Sequence, residues 1–111
     1  MGAKVSKVII KLKEIFPGIT FLGTRVSGEK VREIIEKEIE NGNSIIIDFD
    51  LIEEITQSFG DEIIGIFTRA YGKEFVKNNI KAVNYNEEIK VVLNWVVNYS
   101  NRYFLENKIA V

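Results

Sequence analysis

Apolar residues recur along the chain with two periods, one close to two residues and one close to three and a half. Val5–Leu12 (VSKVIIKL) mixes β-branched residues with partial alternation and predicts a strand. Pro17-Gly18 is a turn signal, and the short apolar run Ile19–Leu22 predicts the second strand of a hairpin. Gly23 and Gly28 bracket a polar loop containing Arg25. Ser27 is expected to cap a helix running to about Glu40. Its residues Val31, Ile34, Ile35 and Ile39 share one face at helical spacing, while Glu33, Glu36, Lys37 and Glu40 take much of the other. Asn41-Gly42-Asn43 closes that helix.

Ser44–Phe49 (SIIIDF) carries the strongest strand signal. Three consecutive isoleucines predict a central strand buried on both faces. A loop, DLIEEITQ, follows. Ser58 is expected to open a second helix ending near Tyr71, with Phe59, Ile63, Ile66, Phe67 and Ala70 as its apolar stripe and Gly72 as its stop. Asn79–Val83 reads as a fourth strand. Asn86 caps the last helix, with Glu87 and Glu88 in its first turn. Ile89, Val92, Leu93, Val96, Tyr99 and Tyr103 are expected to face inward, and Val91, Trp95 and Val97 widen the apolar arc. The order β-β-α-β-α-β-α predicts an α/β domain, a small mixed sheet covered by helices.

Length allows one domain spanning residues 1–111. The 46% hydrophobic and 28% charged residues make an ordinary globular balance, which argues against disorder. The 15 basic and 16 acidic side chains give a net charge of -1, so nucleic acid is not an expected partner. Cysteine and histidine are both absent, which excludes thiol catalysis, imidazole bases and most zinc chemistry. The first residues carry charges through their apolar part and the longest uncharged run, Val91–Asn101, is short and polar. The expectation is a cytoplasmic protein without a membrane partner.

Neither a dinucleotide fingerprint nor a phosphate loop occurs, so no cofactor is expected. Asp48 and Asp50 flank Phe49, and Asp61 and Glu62 begin the following helix. Asp48, Asp61 and Glu62 together would suit Mg²⁺, which frames the alternative of a Mg²⁺-dependent phosphoryl-transfer or hydrolytic enzyme. The simpler reading has Asp48 accepting hydrogen bonds from loop backbone and the other two favouring a helix start, with no metal site. Ser58 has the spacing to Asp61 of a near capping box. As a modified residue it would place a phosphate beside Asp61 and Glu62, where like charge opposes it. Arg25 and Arg32 bracket the first helix start and suit an anion or a partner's carboxylate. Trp95, Tyr99, Tyr103 and Phe104 form an aromatic group suited to core packing or to a homodimer through the C-terminal helix.

The segment Ile46–Gly65, IIDFDLIEEITQSFGDEIIG, resembles the STAS domain of anti-anti-sigma factors and transporter regulators. Aligned without gaps on the family's Asp-Ser-Ser-Gly-like signature, Thr56 takes the aspartate position, Gln57 the first serine and Ser58 the second. Ser58 thereby falls on the phosphorylated serine of the anti-anti-sigma proteins, and Phe59 replaces the glycine. Gly28 to Arg32, Asp48-Phe49 and Ser58-Phe59-Gly60-Asp61-Glu62 also look like a STAS-like family of unknown function, over about residues 5–100. That resemblance implies a STAS-like fold and a non-catalytic, protein-binding regulatory module. The implied partner is a histidine-kinase-like ATPase or serine kinase. Ser58 would be the phosphorylation site, and Arg25, Arg32, Asp48, Thr56, Gln57, Phe59, Asp61 and Glu62 would form the binding surface.

Overall fold

The computed structural model describes residues 6–109. Strand β1 (Lys7–Lys11) leads into a single helical turn, α1 (Leu12–Ile15), then β2 (Phe21–Leu22) and the long helix α2 (Arg25–Glu40). Strand β3 (Ser44–Asp48) is followed by β4 (Glu54–Ile55). A continuous helical rod comes next: α3 (Gln57–Gly60), a π-helical turn (Asp61–Gly65) and α4 (Ile66–Tyr71). Helix α5 (Lys73–Asn79), strand β5 (Ile80–Val83) and helix α6 (Glu87–Ile109) complete the chain. Val5, included in the expected first strand, lies outside the described residues.

The α/β architecture with a small helix-flanked sheet agrees with the sequence reading, and β3 is the central strand of the order β1-β3-β5. The sheet is parallel throughout, however, so it is not mixed and the hairpin is absent. The reason lies between the first two strands. Leu12 is wholly buried and starts a helical turn, which carries the chain away from β1. Strand β2 then pairs in parallel with β4, inside the segment expected to be a loop. Helix α5 had no counterpart in the sequence reading.

The other expectation to fail is burial of β3 on both faces. Ile45 and Ile47 are enclosed, and with Val8, Ile10, Ile80 and Ala82 they form the sheet's contribution to the core. Helices α2 and α5 pack on the sheet, while α6 lies on α3, the π turn and α4. On the opposite face Ile46 is only half-buried, between Ile9 on β1 and Lys81 on β5 in register, and Ile9 is 56% exposed. Alternation of side chains explains both results: three isoleucines in a row must split two to one between faces.

Replacing Ile47 with aspartate is therefore expected to destabilise by more than about 3 kcal/mol, because a charge enters the core. Ile46→Asp should cost clearly less. Urea denaturation midpoints of the two variants test the asymmetry, and equal losses would contradict it.

Candidate functional site

The two-strand pairing of β2 with β4 fixes where two helices begin. Leu22 sits in register with Ile55, and the Thr56 N–H donates to the Leu22 carbonyl at 3.1 Å. The chain then enters α2 after Thr24 and α3 after Thr56. Both threonines are the caps: Thr24 Oγ1 accepts from the Ser27 N–H at 3.0 Å, and Thr56 Oγ1 accepts from the Phe59 N–H at 3.1 Å. The Thr56 hydroxyl also donates to the Gly23 carbonyl at 2.9 Å, stitching one cap to the strand end before the other.

This corrects both expected caps. Ser27 lies within α2, so Arg25 belongs to its first turn and not to a loop. Ser58 is the second residue of α3 and caps nothing. Cap assignment slipped because serine and threonine are both good caps, and only the preceding strand pairing decides which is in extended conformation.

Side by side, the two helix starts bring arginines of α2 onto carboxylates of the π turn. Arg25 Nη1 donates to Asp61 Oδ2 and to Glu62 Oε2, each at 3.0 Å. Arg32 Nε donates to Glu62 Oε1 at 2.9 Å, and its other nitrogens reach Glu29 and Glu36. Arg69, two turns along the rod, grips both oxygens of Asp61 and also donates to Ser100 Oγ at 3.2 Å. Glu62 is only 8% exposed, a burial that a glutamate tolerates only when paired. Burial pushes the Asp61 carboxyl up, but the hydrogen bonds from Arg69 and Arg25 outweigh it and hold the group below the usual aspartate value. Those same contacts push Arg25 and Arg69 up, so both remain charged.

Two glycines make this approach sterically feasible. A Cβ on Gly28 would stand 2.6 Å from Glu62 Cβ, so a side chain there would push α2 off the π turn. A Cβ on Gly65 would stand 2.9 Å from Val96 Cγ1 and would strike Asp61. The Gly28-to-Arg32 spacing thus has a physical meaning. The glycine lets the helices touch, and the arginine one turn later reaches the carboxylate.

Above the network lies a cavity of about 390 Å³ lined by Arg25, Gln57, Ser58, Asp61, Arg69, Trp95, Val96, Tyr99 and Ser100. Ser58 is half-buried in its wall, and its hydroxyl makes no hydrogen bond among the described residues. Trp95 and Tyr99 stack at 5.1 Å between ring centroids and form the opposite side. Tyr99 and Tyr103, expected inside, are instead 54% and 51% exposed, whereas Ser100 is buried. Helical spacing allowed either register for α6, and the narrow apolar seam of Ile89, Leu93 and Val96 set it. Arg69, Ser100 and Thr24 went unnoticed in the sequence. Arg69 stands eight residues from Asp61, a two-turn spacing that was the available signal.

Of the expected site residues, Arg25, Arg32, Asp61 and Glu62 share one network, and Gln57 and Ser58 line the cavity beside it. Thr56 is committed to capping. Phe59 is fully buried and presents nothing to a partner. Asp48 stands apart at the end of β3, where it accepts from the Asp50 N–H at 2.9 Å and from Asn84 Nδ2 at 3.0 Å. Those bonds, the one from Asn84 foremost, hold its carboxyl below the ordinary value. The proposed trio of Asp48, Asp61 and Glu62 is therefore not assembled, and no group of three potential ligands gathers among the described residues. Among those residues, no helix is long and apolar enough to cross a membrane.

A family model described as the STAS-like domain of unknown function (DUF4325) matches residues 27–90, more than half of the chain. That stretch holds Arg32, both carboxylates of the π turn, Ser58 and Arg69. No curated protein and no solved structure matches the chain significantly.

Thr56→Ala should lower stability by about 0.5–2 kcal/mol, through loss of the α3 cap. Ser58→Ala should change it by no more than a few tenths. Thermal melts of the pair decide between the two assignments, and the reverse ranking would return the cap to Ser58.

Proposed function

Because the chain belongs to the family of STAS-like domains, we propose that it is a non-catalytic regulatory module that binds other proteins and works by partner switching in the cytoplasm. One observation carries the reading: Ser58 does not cap its helix and lines the same cavity as Arg25 and Arg69. In this proposal a histidine-kinase-like ATPase docks over the cavity, touching Gln57, Ser58 and the exposed ring edges of Trp95 and Tyr99. The Ser58 hydroxyl attacks the γ-phosphorus of the partner's ATP and passes its proton to a basic carboxylate of the ATPase, and ADP leaves.

The like-charge objection to phosphate at Ser58 weakens on this geometry. Asp61 and Glu62 already lie under three guanidinium groups. A phosphate adds about 1.5–2 negative charges and accepts strongly from arginine. It would compete with Asp61 for Arg25, whose side chain is 57% exposed and the freest of the three. Modification would then redraw the docking surface without breaking the core beneath it.

A homodimer is the second reading, favoured by a specific feature of α6. Val91, Trp95, Tyr99 and Tyr103 recur every four residues and stand about half exposed or more, a continuous apolar stripe. This stripe borders the cavity, so a second copy and the ATPase would compete for it.

The test pairs Ser58→Asp with Ser58→Ala in calorimetric titration against a histidine-kinase-like ATPase, taken from beside the gene where one is encoded there. Ser58→Asp is expected to weaken binding at least about tenfold, and Ser58→Ala to bind near the parent affinity but accept no phosphate. Parental affinity in Ser58→Asp, with no phosphate on the parent protein after incubation with the ATPase and MgATP, would sink the switch.

A further inference from the structure

Parallel sheets are normally covered on both faces, because the crossover helices that connect their strands bury them. Here, among the described residues, the three-stranded sheet is covered on one face only. The other presents Ile9, Ile46 and Val83, with Ile9 56% and Val83 37% exposed, and none of the three joins the core. Around them stand Lys7, Lys11 and Lys81, all exposed. The register places these side chains together: Ile9, Ile46 and Lys81 form one row across the sheet, and Lys11, Asp48 and Val83 the next. Asp48 is the single acid in the rows, and its carboxylate is already engaged by Asn84 and the Asp50 N–H. The only ion pair of these lysines among the described residues is a loose 3.9 Å contact of Lys11 with Glu14.

We propose that this face docks one acidic amphipathic helix of a partner protein. Three strands set about 4.8 Å apart place their outer axes roughly 10 Å from each other, which matches the 10–12 Å diameter of a single helix. Apolar side chains on that helix would cover Ile9, Ile46 and Val83, and its flanking carboxylates would meet the lysines. A second copy of this chain fits poorly. Across a two-fold axis it would set lysines against lysines. For any occupant the face is small, about 240 Å² against roughly 800 Å² per partner in a stable complex. The contact is accordingly a weak or tethered one. It goes beyond the switch at Ser58, which lies among the helices on the other side of the sheet.

The probe is a synthetic amphipathic helix with leucines on one face and glutamates flanking them, with a lysine-flanked counterpart as control. Each is titrated into the full chain and followed by amide NMR. Saturable shifts at Ile9, Ile46 and Val83 are expected with the glutamate peptide only. Lys7→Glu/Lys81→Glu, at exposed positions that leave the fold intact, should weaken that peptide at least about tenfold and favour the lysine peptide. Ser58→Asp should leave it unchanged, so failure here and failure of the switch are separate results. Shifts confined to the helical side, equal binding of both peptides, no binding, or peptide-independent dimerisation through this face would each overturn the proposal.

Discussion

Glu62 and Asp61 are the constraint around which the helical side of this protein is arranged. Both are mostly enclosed, and a carboxylate in that setting is tolerated only when cations and hydrogen-bond donors surround it. Arg25 and Arg32 come from α2 and Arg69 from the end of the rod, so one pair of acids ties together segments far apart in sequence. Gly28 and Gly65 are required by the same contact, since a side chain at Gly28 would strike the Glu62 stem and one at Gly65 the Asp61 carboxylate. The π turn sits at this junction, as such turns often do at functional sites.

This arrangement explains why Ser58 is available. Its neighbours have structural tasks: Thr56 caps, Phe59 fills the core and Asp61 anchors the arginines. Ser58 does none of these, and it lines a cavity of about 390 Å³ that mixes arginines with aromatic rings. In the proposed switch, a docking site next to a rigid ionic base changes its surface charge without loss of the fold. The uncovered sheet face is the complement of that design. All large apolar packing is spent on the helical side, and the back of the sheet keeps a small apolar patch ringed by lysines.

Much of the fold was legible because long periodic segments leave few alternatives. The stripe of α2 and the isoleucines of β3 each pointed to one element, and Asn86 caps α6 as read, accepting from the Ile89 N–H at 2.9 Å. What escaped was decided by partners distant in sequence. Strand β4 is two residues long and exists because β2 lies beside it, so no local pattern announces it. The caps moved from Ser27 and Ser58 to Thr24 and Thr56 for the same reason. Exposure of Ile46 was hidden because a run of isoleucines does not say how many faces a sheet will have covered. In the site, the Gly-x-x-x-Arg and Ser-Phe-x-Asp-Glu pieces were visible as motifs, but their union through the Arg32–Glu62 contact required the fold.

The most direct test is the stability of Glu62→Gln, which keeps the shape of the side chain and removes its charge. Urea denaturation at neutral pH should show a loss of about 2 kcal/mol relative to the parent, since two arginines lose the anion they share. A denaturation midpoint indistinguishable from the parent's would contradict the claim that this buried carboxylate holds the two helix starts together.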